Sequence, residues 1–392
     1  MLFSFAMMIL VGVLFAMIMR KVGLPNLLGY LLTGIILGPF VFNVIDTTTF
    51  QISSDIRQIA LMIILMRAGL NLQISDLKKV GSSALLMCFV PASFEILGLM
   101  ILAPIFLHLD LLNAAILGTV LAAVSPAVVV PLMLRLMDEG YGTKEGIPQL
   151  IMAGASMDDV YVIVLFTSLL SLAKSGEFNA LSLLRIPTSI LFGIVSGIVL
   201  GYVLCKLYRL LKLPTGIELA SMFAIGMVFI TIERIMTGMI GFSGLLAIMA
   251  LTATIRHIKP EMADKYSAVL AKLWQPAEIF LFALVGASVR IDYALSFGSV
   301  VLVVIILALV FRILGVYLSI MKTKFNMKER IFTMGAYLPK ATVQAAIGGL
   351  ALEAGLASGE LILTAAVTAI LFTAPLGAIF ISLTYRNFLQ KV

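Results

Sequence analysis

Pro148-Gln-Leu-Ile-Met-Ala-Gly-Ala-Ser-Met-Asp158-Asp159-Val-Tyr-Val-Ile-Val-Leu-Phe-Thr-Ser-Leu-Leu-Ser-Leu-Ala173 is a 26-residue run whose only charged residues are two adjacent aspartates. A helix of about 20 mostly apolar residues crosses the hydrocarbon core of a bilayer. The run therefore reads as a membrane span, with Asp158 and Asp159 about ten residues inside it. Ionisable groups at that depth are costly, so each marks a functional hypothesis.

The rest of the chain agrees with that reading. Of 392 residues 61% are hydrophobic and only 12% charged, with a mean hydropathy of +1.14. A soluble domain carries about 25% charged residues to cover its surface; this chain has too few. Glycine (31), proline (13) and cysteine (2) show no collagen-like, disordered or disulfide-scaffold bias. The net charge of +7 is not gathered into a basic cluster interleaved with aromatics, so no nucleic-acid partner is expected. Cys88 and Cys205 read as membrane-core residues, and His108 and His257 fall in expected loops, which argues against a histidine metal site or a Ser/His catalyst. Leu2–Met19 has no charged residue before it and no small-residue cleavage site after it, and is expected to be a retained span.

Counting apolar runs gives thirteen spans: 2–19, 24–42, 55–72, 83–107, 112–136, 148–173, 182–208, 216–233, 236–255, 275–289, 296–320, 330–354 and 359–383. None shows the period-two alternation of a barrel strand. Of the 27 basic residues, Arg67, Arg312 and Lys340 lie within spans. Only Arg57, Lys174, Arg185, Arg234 and Arg290 lie in the even-numbered connections; the other 19 lie in the odd-numbered ones and the C-terminus. Lys and Arg collect on the cytoplasmic side, so the N-terminus is expected outside and the C-terminus inside.

An internal repeat emerges at an offset of 217 residues. Leu65-Met-Arg-Ala-Gly69-Leu-Asn-Leu-Gln-Ile74 matches Phe282-Ala-Leu-Val-Gly286-Ala-Ser-Val-Arg-Ile291, and the same offset places Gly118 on Gly335, Leu121 on Leu338, Ser125 on Thr342 and Glu95 on Arg312. Spans 3–5 correspond to spans 10–12. The copies are an odd number of crossings apart, so they cross in opposite directions. The expected fold is an all-α polytopic membrane protein with about 13 transmembrane helices, as two inverted six-helix repeats joined by a linker helix. Inverted repeats carry alternating access in secondary transporters, with the site at their interface.

Three constellations stand out within the spans. Asp158 and Asp159, preceded by Ser156, point about 100° apart on a helix; one can face an ion path while the other meets a neighbouring helix. A carboxylate is a hard ligand for an alkali cation and also a proton acceptor. One carboxylate holding either but not both is the minimum chemistry of antiport. Second, Ala123-Val-Ser125-Pro126-Ala-Val-Val-Val-Pro131 and Leu338-Pro339-Lys340-Ala-Thr342-Val-Gln344 put prolines at corresponding places in the two repeats. Proline frees a helical carbonyl, and broken helices at membrane depth line cavities or lie buried. Broken helices at corresponding places are expected there, with Lys340 offsetting the negative half-helix ends. Third, Glu95 and Arg312 occupy repeat-related positions and read as a structural ion pair between spans 4 and 11. Arg67 and Glu278 lie nearer span ends. Gly34-Ile-Ile-Leu-Gly38 and Gly193, Gly197 and Gly201 read as close-packing positions, and the connection from Arg256 to Lys272 as an interfacial helix.

Gly29-Tyr-Leu-Leu-Thr-Gly-Ile-Ile-Leu-Gly-Pro39, Ser125-Pro-Ala-Val-Val-Val-Pro131, Ser156-Met-Asp-Asp159 and Leu338-Pro-Lys-Ala-Thr-Val-Gln-Ala345 together resemble motifs of the cation–proton antiporter superfamily, in the sodium/proton antiporter branch that includes mammalian NHA proteins. The resemblance implies an NhaA/NapA-like antiporter fold and a homodimer in the lipid bilayer, in which a core moves elevator-fashion against a dimerisation domain. The dimerisation domain would be 1–78 and 213–293, the core 79–175 and 294–392, and the linker helix 176–212. It implies Asp159 as the principal ion- and proton-binding carboxylate, with Asp158 beside it, Na⁺ or Li⁺ as the metal bound there, and two crossed, unwound helices with Ser125, Ser156 and Thr342 as candidate oxygen ligands. Electrogenic relatives with a double aspartate carry a lysine in the span corresponding to span 11, where this chain offers Arg312. Because an arginine does not give up its proton, exchange of two protons per ion is put in doubt. The expected location is the plasma (inner) membrane of a prokaryote, in a compact member without long cytoplasmic tails. No cofactor is implied beyond the transported ions. The alternatives are K⁺/H⁺ exchange and, less favoured, a cation channel, for which no repeated filter motif is present. An aspartyl protease needs facing carboxylates, usually from separate spans. No P-loop supports a pump, so the chain is expected to be a transporter and not an enzyme.

Overall fold

The computed structural model describes residues 1–71, 82–175, 180–236 and 242–391. Ile74 of the repeat match, Lys78 and Lys79 of the charge count and the expected boundaries at 78/79 and 175/176 touch residues outside this set. The side chains of Ser156, Arg185, Arg234 and Ile291 also fall outside the described residues. What is described is helical, with one isolated bridge between Tyr141 and Lys391. In chain order the helices are α1 (Leu2–Lys21), α2 (Asn26–Leu37), α3 (Thr47–Gln51), α4 (Ser53–Asn71), α5 (Ser82–Met87), α6 (Val90–Leu107), α7 (Leu111–Ala122), α8 (Pro126–Asp138) and α9 (Ile147–Ser175). There follow α10 (Ala180–Leu211), α11 (Thr215–Met236), α12 (Gly244–Ile258), α13 (Pro260–Ala287), α14 (Ile291–Ile320), α15 (Met327–Ala336), α16 (Thr342–Ile347), α17 (Leu350–Glu353) and α18 (Gly359–Phe388).

Nine helical stretches among the described residues are long and apolar enough to cross a membrane: α1, α5 with α6, α7 with α8, α9, α10 from Thr188, α11 to Glu233, α13, α14 from Gly298 and α18. The chain is thus an all-helical, multi-pass membrane protein. Four of the thirteen expected spans do not meet that description. Spans 2 and 9 are α2 and α12, of 12 and 15 residues, short for a bilayer unless partly shielded by protein. Span 3 is α4, which carries Asp55, Arg57 and Arg67. Span 12 is divided between α15 and α16.

One expectation is corrected in part. Arg256–Lys272 is helical at the expected positions but is not a helix of its own: Arg256 to Ile258 end α12, and from Pro260 the chain is the first part of α13, which runs unbroken to Ala287 with Pro276 inside it. Ala263, Tyr266 and Leu270 are fully buried, while Lys265 and Lys272 are exposed. The charges that suggested a connection are the polar stripe of one long helix. A proline removes a single helical hydrogen bond, and here that loss does not end the helix.

The chain forms two compact units, Met1–Ile56 with Ser75–Val162 and Glu278–Val392, and Arg57–Ile74 with Ile163–Ala277. In the first, α6 and α14 lie in close contact. A Cβ on Gly98 would stand 2.6 Å from the Phe311 ring, and one on Gly315 would stand 2.7 Å from Pro91 Cα. Between apolar helices in lipid, packing rather than water exclusion drives association, and small residues let the backbones approach. Gly98 and Gly315 follow Glu95 and Arg312 by three residues each, so the close approach brings those two charges face to face. Asp110 starts α7 by accepting the Asn113 N–H at 2.9 Å, and Asn326 and Glu329 form a reciprocal capping box at the start of α15. Val124, Val129, Met133, Ile151, Phe332, Tyr337 and Ile381 share a buried core. Gly34 meets the Ala283 backbone within the same unit.

In the second unit, Gly193, Gly197 and Gly201 of α10 pack on the α12 backbone at Ser243, Ala247 and Leu251, four residues apart on both helices. This matches the close-packing role read from the sequence. The Tyr266 hydroxyl donates to Glu218 Oε2 at 2.7 Å, and the Tyr208 hydroxyl donates to the Glu218 carbonyl at 3.0 Å, tying α10, α11 and α13 together.

Two outcomes follow. Gly315→Leu forces a side chain into the Pro91 backbone and should destabilise the detergent-solubilised protein by about 1–3 kcal/mol, read as a fall in melting temperature; Val310→Leu on the exposed face of α14 should leave it unchanged. Asp110→Ala removes a helix cap and should cost about 1 kcal/mol. The Asn113 backbone N–H holds the Asp110 carboxyl below its ordinary range. Its stabilisation is therefore full above about pH 4 and lost as pH falls through the lowered value, so wild type and variant should converge in acid.

Candidate ion-binding site

Both expected helix breaks are present, and each has a local cause. The residue before a proline is pushed out of the α region. Accordingly α7 stops at Ala122, Ala123 and Ser125 are extended, and α8 restarts with Pro126 at its first position. At the second break α15 stops at Ala336, Leu338 precedes Pro339, and α16 begins at Thr342. The breaks touch: the Ser125 N–H donates to the Pro339 carbonyl at 2.7 Å, and the Thr342 N–H donates to Ser125 Oγ at 3.4 Å. The Ser125 and Thr342 hydroxyl oxygens also lie 3.4 Å apart.

Around the breaks sit five buried ionisable side chains. Asp158, Arg312 and Lys340 have no exposure, Glu95 has 1% and Asp159 has 5%. Arg312 is the hub. Its Nη1 meets Glu95 Oε2 at 3.0 Å and its Nη2 meets Asp158 Oδ2 at 2.8 Å. Its Nε donates to the Tyr337 carbonyl at 2.7 Å, and Nη1 donates to the Ala122 carbonyl. Those carbonyls end the first halves of the two broken helices, where the macrodipole is negative. Lys340 Nζ meets Glu95 Oε1 at 2.7 Å and donates to the Leu121 carbonyl. Burying ions is costly unless partners and hydrogen bonds surround them, and here nearly every polar atom of the two cations is occupied.

The aspartates divide. Asp158 Oδ2 accepts from Arg312 and also from the Val124 N–H at 2.9 Å. The Oδ1 atoms of Asp158 and Asp159 are both buried and accept no hydrogen bond among the described residues. The two differ in that Asp158 is anchored through Oδ2, whereas Asp159 has no such anchor among the described residues. Ser156 lies on the same helix, one turn before them, with its side chain outside the described residues.

The expected Glu95–Arg312 pair is formed, and Lys340 does reach a half-helix carbonyl. Sequence reasoning missed that Arg312 also holds Asp158, that Lys340 also pairs with Glu95, and that Tyr337 supports the arginine. The Tyr337 ring centroid lies 5.0 Å from the guanidinium carbon, and its hydroxyl donates to the Met87 carbonyl at 3.0 Å. It also missed Gln344, fully buried, whose Nε2 donates to the Ala123 carbonyl at 2.9 Å and lies 3.4 Å from the Leu121 carbonyl. Both residues sit beside the second break, and a polar amide in an apolar span was the available signal.

Apolar helices that enclose paired charges beside two crossed breaks define a multi-pass membrane ion transporter. A family model described as "Sodium/hydrogen exchanger, transmembrane" matches residues 6–386. The chain is 36% identical to sodium/hydrogen exchanger 9B2 of Homo sapiens, over 94% of this chain and 70% of that protein. It is 35% identical to human sodium/hydrogen exchanger 9B1, over 94% and 73%. The fold is that of the sodium proton antiporter MjNhaP1 from Methanocaldococcus jannaschii, with a TM-score of 0.82 at 19% identity, covering 98% of this chain and 97% of that one. The chain belongs to the sodium/hydrogen exchanger family.

Removing one member of a buried ion pair leaves the other uncompensated, at about 3–5 kcal/mol. Glu95→Gln, which strands Lys340 and leaves Arg312 with Asp158 as its one carboxylate among the described residues, should therefore lower folded yield and melting temperature in size-exclusion and thermal assays. Glu360→Gln at the exposed pair with Arg290 should shift neither by more than about 1 kcal/mol.

Proposed function

We propose that this chain is a secondary active antiporter that exchanges Na⁺ or Li⁺ for H⁺, with Asp159 as the carboxylate that holds a proton and a cation in turn and Asp158 beside it. The observation that carries the reading is the unequal anchoring of the two aspartates: Asp158 Oδ2 is held by Arg312 and Val124, an anchoring that Asp159 lacks among the described residues, while the buried Oδ1 atoms of both carboxylates accept no hydrogen bond there.

Charge counting supports a stoichiometry. Glu95, Asp158 and Asp159 bring three negative charges, and Arg312 and Lys340 bring two positive ones. One proton or one monovalent cation neutralises the remainder; both together would leave a net positive charge in a low-dielectric site, where unit charges interact strongly. The guanidinium keeps its proton throughout. The cluster therefore fits one proton per cation. Ser125 and Thr342, at the crossed breaks, supply neutral oxygens close at hand.

Transport follows an elevator cycle. A homodimeric protein with thirteen crossings in two inverted repeats moves its core (79–175 and 294–392) against a dimerisation domain (1–78 and 213–293), joined by the linker helix 176–212. The contacts supporting inverted repeats are Glu95 with Arg312 and Ser125 with Thr342, each 217 residues apart. The basic-residue asymmetry favours an outside N-terminus and a cytoplasmic C-terminus, in the plasma membrane of a prokaryote.

Proteoliposomes loaded with a pH dye and pulsed with Na⁺, Li⁺ or K⁺ test this directly. Na⁺ and Li⁺ should drive proton movement that Asp159→Asn reduces to background without changing the elution profile. An imposed membrane potential should not alter the rate. Full exchange by the Asn variant would remove Asp159 from the site; a response to K⁺ alone would assign the cation differently.

A further inference from the structure

The carbonyls of Leu121, Ala122 and Ala123 close the C-terminal end of α7, and each is met by a side chain from across the break. Lys340 takes Leu121 and Arg312 takes Ala122. The third, Ala123, is met by the neutral amide of Gln344, at 2.9 Å. Both backbone atoms facing that amide are acceptors, so the atom directed at them must be the NH₂ donor, and the orientation of the carboxamide is determined.

The carbonyl of Ala123 and the N–H of Val124 belong to one peptide group. That N–H is the donor to Asp158 Oδ2 at 2.9 Å. A peptide group is planar, so anchoring its oxygen fixes the direction of its N–H, and a hydrogen bond accepted at the oxygen polarises the group and strengthens the donor at the other end. Gln344, the Ala123–Val124 peptide and Asp158 thus form one chain of hydrogen bonds across the broken helix.

A packing role does not account for the glutamine. It has no exposure, and its Oε1 accepts no hydrogen bond among the described residues. An unpaired buried acceptor is unfavourable, and methionine would fill the same space without one. What glutamine adds is the NH₂ group. It adds it without charge, whereas a third cation here would cancel the negative charge left over by the two existing ones.

We propose that Gln344 is a positioning residue of the transport site: by holding the Ala123–Val124 peptide it aims the Val124 N–H at Asp158 and sets how readily the aspartate pair takes up a cation. This rests on the reading of Asp158 and Asp159 as the transport carboxylates.

The test compares Gln344→Met and Gln344→Glu with wild type and Asp159→Asn in proteoliposomes, measuring Na⁺-driven proton exchange against Na⁺ concentration and pH. Gln344→Met keeps the shape and removes the donor. The expected result is a normal elution profile, a KM for Na⁺ raised about threefold or more with a smaller change in kcat, and an acid limb of the pH profile displaced by about half a unit or more toward alkaline pH. Gln344→Glu, also isosteric, sets an acceptor against two carbonyls and adds a fourth carboxylate; it should move both readouts further, and it carries the test if the methionine variant does not fold. Either folded variant with wild-type KM and pH profile overturns the proposal, as does a fall in kcat alone, which a merely structural role would produce. If Asp159→Asn exchanges normally, the site assignment itself falls. If Asp159→Asn is inactive and Gln344→Met is normal, only the role of Gln344 falls.

Discussion

Arg312 is buried without exposure among apolar helices, and its donors reach Glu95, Asp158 and the carbonyls of Ala122 and Tyr337. A charge in a low-dielectric interior has to be met by opposite charge and by oriented dipoles. One planar guanidinium meets two carboxylates and the free ends of two half-helices. The arrangement depends on that sharing, because each partner is itself buried and would otherwise be uncompensated. The close contact of α6 and α14 at Gly98 and Gly315 puts the arginine and Glu95 within reach, and the proline-induced breaks expose the carbonyls that the arginine and Lys340 need.

The same economy treats the adjacent aspartates unequally. Asp158 is pinned through Oδ2 by Arg312 and by a backbone N–H. Asp159, about 100° further round the helix, has no such anchor among the described residues, and the Oδ1 of each lacks a donor there. Counted as ionised groups, three carboxylates face two cations, and the exchange of a single positive ion proposed for the site fits that count. The chain's membership in the sodium/hydrogen exchanger family agrees with that proposal.

Much of the site was legible in the sequence for a physical reason: charge and proline are so unfavourable in an apolar helix that they stand out without knowledge of the fold. Asp158, Asp159, Lys340, Arg312, Glu95 and both breaks were found that way. Tyr337 and Gln344 were not, since an uncharged polar residue within a span stands out less than a charge and its importance comes only from what it touches. The length of α13 was misread for a related reason. Its exposed Lys265 and Lys272 make its first half look amphipathic and separate from the apolar half, and only the tertiary structure joins the two in a single helix with Tyr266 and Leu270 buried.

By itself the sequence determined that the chain crosses a membrane many times, where its helices break and which charges lie deep, because hydropathy, proline geometry and the cost of burying charge are local properties. Beyond the Glu95–Arg312 pair, which the repeat register already suggested, the tertiary structure decided which charge meets which. Asp158, 154 positions away, becomes a second partner of Arg312, Lys340 joins Glu95, and the peptide between Ala123 and Val124 comes to lie between Gln344 and Asp158. Those pairings depend on how helices cross, and helix crossing is set by packing contacts between segments distant in the chain.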